Sequence, residues 1–192
     1  MDPEPNALVV TVFRAFAEHL DHALAFVLLI ARVADIASTR LATPSLTLEA
    51  NPVVRKLGWP FAWATLPVCF VAYLPGYGPA VAVLAIVISL LVAGSNFSRG
   101  WAARALGESE ARAHLLRVFS VARPSYVYLS IATGSVLVGA LGGLMLIFYP
   151  SPTEWAHYFA IGIVLYALAM WLYPSLAARR LFREAASSRT AG

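Results

Sequence analysis

The sequence predicts an all-α fold, a polytopic transmembrane bundle of five spanning helices with short interfacial helices. Three observations predict it. First, 60% of the residues are hydrophobic and only 12% are charged, whereas a soluble domain carries about 25% charged residues. So few charges cannot cover so much apolar surface in water, and a bilayer removes the need to cover it. Second, apolar runs of spanning length alternate with segments rich in Pro, Gly and Arg. Third, the basic residues fall in alternate connections, as membrane insertion requires.

The elements follow in order. Within residues 6–19, Leu8, Val9, Val12, Phe13 and Phe16 recur at helical spacing while Arg14 and Glu18 are polar. A stretch that short lies at the interface rather than across it. Met1-Asp2-Pro3-Glu4-Pro5 is acidic, unlike the basic start of a signal peptide, so no cleavable leader is expected. The first span covers about 22–41, with an uninterrupted apolar run from Ala23 to Ala31. The second covers about 59–75; it opens at Trp59 and contains Pro67, which membrane helices tolerate when neighbours satisfy the freed carbonyl. Pro75-Gly76-Tyr77-Gly78-Pro79 is a dense turn signal. The third span covers about 80–97 and the fourth about 125–149; Pro150-Ser151-Pro152 turns the chain into the fifth, about 154–175. Between the third and fourth, Gly107 reads as a helix stop and Ser109 as the next N-cap, giving an interfacial helix over about 108–122. The tail from Arg179 is basic, then small and polar, and is expected to fray. Residues 1–192 are expected to form one transmembrane domain, the five spans and their loops using up this length.

Arginine sets the orientation. The first connection with its flank holds Arg40, Arg55 and Lys56. The third holds Arg99, Arg104, Arg112, Arg117 and Arg123, and the tail holds Arg179, Arg180, Arg183 and Arg189. Together they carry twelve of the 14 basic residues. An odd number of spans puts them on one side, so the N-terminus is expected outside and the C-terminus in the cytoplasm of a cell (inner) membrane. The net charge of +4 therefore speaks for a lipid bilayer as partner, and nucleic acid is not expected. Cys69, the single cysteine, excludes an intrachain disulfide and sits in an apolar run as a small hydrophobe. Ser135, Gly139 and Gly143, with Gly142 beside them, form a small-residue stripe on the fourth span. Such a stripe admits a close helix, within the bundle or from a partner.

Candidate chemistry concentrates near the cytoplasmic side. Arg32, Asp35 and Thr39 share one stripe of the first helix. A charge at the bilayer centre costs at least ~2.5–3.5 kcal/mol, so such residues face the bundle interior and are often functional. The structural alternative is an Arg–Asp pair that fixes helix register. Downstream, Asn51 before Pro52 is a helix start, with Glu49 just ahead of it. Asn96, at the inner end of the third span, reaches the same level; its Asn96-Phe97-Ser98 glycosylation pattern is spurious on the inner side. Asp35-x-x-x-Thr39 followed by Glu49-x-Asn51-Pro52 resembles a family of small bacterial and archaeal membrane proteins of unknown function. The resemblance covers about residues 30–75 and implies that Asp35, Thr39, Glu49 and Asn51 form a common polar site. It supplies positions and no reaction, and Arg32 is not part of its pattern.

Two carboxylates, an amide and a hydroxyl suit a hard cation, water or a protonated amine better than zinc. They would equally serve acid–base work. A second cluster precedes the first span and opens the fifth: Glu18, His19, Asp21 and His22, with Glu154 and His157. Should the two ends meet, His22, Glu154 and His157 would make a transition-metal site or a proton-entry site; the alternative is ordinary interfacial polarity. No cofactor is identifiable. The leading expectation is binding or transport of a cation, proton or small polar solute. The alternatives are an intramembrane hydrolase or lipid-modifying enzyme using the same carboxylates, and an accessory subunit of a larger membrane complex.

Overall fold

The computed structural model describes residues 19–190, so the helix expected over 6–19, with Arg14 and Glu18, lies outside the described residues. Among these residues the chain forms seven helices and no strand. Helix α1 spans Leu20–Ala42, α2 Pro52–Ala64 and the 3₁₀ helix η1 Leu66–Tyr73. Then follow α3, Gly78–Leu106, α4, Glu108–Val121, α5, Pro124–Phe148, and α6, Trp155–Thr190. Three of them, α3, α5 and α6, are long and apolar enough to cross a membrane. Helix α1 has the length, 23 residues, but carries Arg32 and Asp35 in its C-terminal half.

The segment expected to be a second span, about 59–75 with Pro67 tolerated inside it, is instead built from α2 and η1 in series. Gly58 breaks α2 at φ 75°, ψ −169°, a conformation open to glycine and strained for other residues. Pro60 and Pro67 each remove an amide donor from the helical ladder. The chain responds with i→i+3 bonds, Thr65 N to Ala62 O and Val68 N to Thr65 O, the tighter 3₁₀ pattern.

The bundle is built on α3. Helices α1 and α6 both pack against α3, η1 closes against α1 and α3, and α5 packs on the far side of α6. Ala25, Leu28, Cys69, Ala72 and Ala82 form the tight core where α1, η1 and α3 meet. Small residues permit this approach. A Cβ on Gly162 of α6 would lie 2.9 Å from Val87 Cβ of α3, and one on Gly142 of α5 3.0 Å from the Ala160 carbonyl oxygen of α6. The stripe on α5 thus faces α6 of the same chain: Ser135 is buried and a Gly139 Cβ would sit 3.5 Å from Ala167. Gly143 is the exception, with open space beside it.

Two expectations need correction at the basic end. The third span, expected over about 80–97, belongs to a helix that runs on to Leu106 and ends, as expected, at Gly107 (φ 83°); Gly107 and not Ser109 is the N-cap of α4. The tail does not fray at Arg179, because α6 continues through Pro174 to Thr190. The reason is a partner: Ala178, Leu181 and Ala185 form a buried stripe on the part of α6 that meets α4. Phe182 stacks edge-on against Phe119 with centroids 4.8 Å apart.

Candidate functional site

Between α1 and α6, over the face of α3, lies a cavity of about 460 Å³. Helix α1 contributes Arg32, Asp35 and Thr39, the loop before α2 contributes Glu49 and Asn51, and α3 contributes Asn96. All six side chains expected at the polar site therefore line one space. Asp35 faces this interior rather than the outer surface of α1, with 14% of its side chain exposed.

Each side chain has a definite task. Arg32 Nη1 pairs with Asp35 Oδ2 one turn along α1, and its Nη2 donates to Thr65 Oγ1 at 2.5 Å. Thr65 in turn donates to the Ala62 carbonyl at 2.6 Å, so the guanidinium ties α1 to the junction of α2 and η1. The two opposite charges offset the cost of burying either alone. Asn96 Nδ2 donates to Thr39 Oγ1 at 2.9 Å and to Ser38 Oγ at 3.4 Å, crossing from α3 to α1. Asn51 caps α2 by accepting from Val53 N at 2.9 Å, as the Asn-Pro pair requires.

Glu49 differs from Asp35. Its Oε1 accepts the Asn51 amide at 2.7 Å, yet among the described residues no cation stands within ion-pair distance of it. Burial pushes its carboxyl above its ordinary value, against the backbone amides of Asn51 and Ala50 and the more distant charges of Arg55 and Arg180, which pull the other way. The rest of the wall is largely aromatic and apolar: Trp59 and Phe61 from α2, and Tyr166, Met170 and Tyr173 from α6. Pro174 also lines it and has no N–H for the Met170 carbonyl one turn earlier.

The loop that carries Glu49 is held from outside the cavity. Glu108, the first residue of α4, accepts from Thr43 Oγ1 at 2.5 Å, Thr47 Oγ1 at 2.7 Å and the Ser45 amide at 3.1 Å. Burial alone would raise its carboxyl, but these hydrogen bonds together outweigh that and hold it at about 2. Within the loop Leu46 is buried in the left-handed region, φ 59°. Trp59 Nε1 adds a bond to the Pro44 carbonyl at 3.0 Å.

Thr65, Trp59, Tyr166 and Arg99, which also line the cavity, were not among the expected site residues. Thr65 and Tyr166 had a signal, being single hydroxyls within otherwise apolar stretches. Arg99 had none beyond the basic loop that contains it. The second cluster, ahead of the first span and at the start of the fifth, requires a correction. His22, Glu154 and His157 do not make a metal site, since no group of three or more His, Cys, Asp or Glu able to hold an ion occurs among the described residues. His22 packs edge-on against Tyr73, centroids 5.4 Å apart, while His157 Nδ1 bonds the Tyr149 carbonyl at 3.0 Å. Both rings are thus engaged locally, and the ends of α1 and α6 never bring them together.

No family model, curated protein or solved structure matches this chain.

Proposed function

We propose that this is a five-span protein of the inner membrane that binds a small polar solute with a cationic group in the α1–α3–α6 cavity, as a binding or transport protein does. One observation carries the reading: six polar side chains from three separate stretches of sequence line a single cavity whose remaining wall is largely apolar, with Trp59, Phe61, Tyr166 and Tyr173 as its aromatic part. A volume of about 460 Å³ suits a small organic ligand, and a bare ion would leave most of it empty. Asp35 is already committed to Arg32, so Glu49 is the anion free to meet the ligand's charge. Asn96, Thr39 and the aromatic wall would hold the rest of it.

The membrane setting has its own support. Large apolar side chains such as Phe26, Ile30, Leu137 and Ile147 project from the outer faces of the helices, as lipid contact requires. The three arginine-rich regions meet at one end of the bundle, through Glu108 with the 43–47 loop, Arg112 with Glu184, and Arg180 with the Thr47 carbonyl. That grouping favours a cytoplasmic C-terminus and an external N-terminus. A hydrolase would use the same two carboxylates, of which Asp35 is paired with Arg32.

The test is ligand-dependent thermal stabilisation of the purified protein in lipid nanodiscs, with methylammonium, choline and neutral glycerol as probes. Wild type is expected to be stabilised by the cations and not by glycerol. Glu49→Gln should weaken the effect roughly tenfold or more, the worth of one charge-assisted contact, with unliganded stability at neutral pH kept or raised, since the buried charge is removed. Asp35→Asn should also lose binding, by releasing Arg32 into the cavity. Stabilisation that survives Glu49→Gln defeats the proposal. Collapse of both variants would make these carboxylates structural.

A further inference from the structure

A second pocket, separate from the cavity, opens at the basic end of the bundle. It has a volume of about 270 Å³ and is lined by Ser45, Leu46, Thr47, Arg55, Arg112, Arg180 and Glu184. Three guanidiniums thus converge on it from three elements, α2, α4 and α6, against a single lining carboxylate. Arg180 lies within electrostatic range of both Arg55 and Arg112, and gathering like charges costs energy unless a counter-charge joins them.

The hydrogen bonds leave much of this donor capacity unused. Arg112 Nη2 pairs with Glu184 Oε2 at 3.0 Å. Arg55 reaches the Glu49 carbonyl at 3.4 Å, and Arg180 Nη2 the Thr47 carbonyl at 3.3 Å. Arg180 Nε, however, is buried without a hydrogen-bond partner; the nearest Glu184 oxygen is 3.9 Å away, beyond hydrogen-bonding range. A buried, unsatisfied cationic donor beside two further guanidiniums is an arrangement completed by an anion with several acceptor oxygens.

We propose that Arg55, Arg112 and Arg180 form a binding site for a tetrahedral phosphate group, either a lipid phosphomonoester headgroup or free phosphate. Planar guanidinium forks match phosphate oxygens in pairs, and a phosphate dianion would balance the two positive charges that Glu184 leaves over. This site stands independently of the proposed solute cavity.

The experiment uses the full-length protein in nanodiscs of zwitterionic phosphatidylcholine, with thermal stability as readout. One arm adds inorganic phosphate against chloride at matched ionic strength. The other replaces part of the lipid with phosphatidic acid and follows retained lipid by native mass spectrometry. Phosphate-specific stabilisation identifies free phosphate, and retained phosphatidic acid identifies the headgroup; either supports the site. Arg55→Gln and Arg112→Gln should each weaken binding at least about tenfold, while Arg104→Gln, on the exposed end of α3, should not. Two variants on different helices guard against one failing to fold. Equal weakening by Arg104→Gln, equal stabilisation by chloride, or no effect in either arm overturns the proposal.

Discussion

Glu108 shows how one exposed-looking carboxylate governs a loop it does not belong to. It gathers Thr43, Ser45 and Thr47 around Leu46, whose positive φ costs on the order of 1–3 kcal/mol. Because its carboxyl drops from an ordinary 4.5 to about 2 in the fold, the folded state holds fewer protons than the unfolded one between those values. The anchor therefore acts in full above pH 4.5 and fades as the pH falls towards 2. Glu108→Gln is expected to lower stability at neutral pH by about 1 kcal/mol, discounted for its solvent contact. It should also flatten the loss of stability on acidification below pH 4.5, measured as melting temperature against pH. An unchanged pH profile would remove the anchor. Glu49 works in the opposite sense: its raised carboxyl costs stability once ionised, so stability falls as the pH climbs from 4.5 through its folded value.

Among the elements, α5 and α6 show what a glycine stripe is for. Gly142 and Gly143 are neighbours in sequence and opposites in surroundings. A Cβ at Gly142 would meet Val164 at 2.9 Å and backbone oxygen at 3.0 Å, whereas Gly143 has nothing within 4 Å. Gly142→Ala should then destabilise the protein by about 1–3 kcal/mol through overpacking. Gly143→Ala should be neutral or stabilising by up to about 1 kcal/mol, from helix propensity alone. Thermal unfolding in detergent separates the two, and equal effects would refute the close packing of α5 on α6. The stripe at intervals of four was visible in the sequence, but which of its members touches α6 depends on the rotation of α5, set by packing. The same holds for α2 and η1: Gly58, Pro60 and Pro67 were all in view, yet their joint effect was an interrupted element rather than one tolerated kink.

At the scale of the whole molecule, the proposed five-span arrangement makes a prediction about sidedness. Cysteines introduced at Arg104, Arg117 and Arg189 of an otherwise Cys69→Ala chain should resist a membrane-impermeant thiol reagent added to intact cells. One at Ser151, between α5 and α6, should be labelled. Labelling of any of the first three under those conditions would overturn the orientation. This arrangement also places the solute cavity towards the arginine-rich end, so a solute would meet Glu49 from the cytoplasmic side.

An all-helical chain with helices long and apolar enough to cross a membrane needed only the sequence, because so few charges cannot cover so much apolar surface in water whatever the tertiary detail. The stripe of Arg32, Asp35 and Thr39 was equally local, since helical periodicity places residues three and seven positions apart on one face. Tertiary structure alone decided what those side chains meet. Glu49, Asn51 and Asn96 reach the cavity because α1 and α6 stand apart across α3, and the outer histidines stay separate because nearer groups engage them first. The convergence of Arg55, Arg112 and Arg180 was likewise invisible in sequence, where they lie more than fifty positions apart. Long-range proximity follows from how helices pack, and periodicity within one helix carries no record of it.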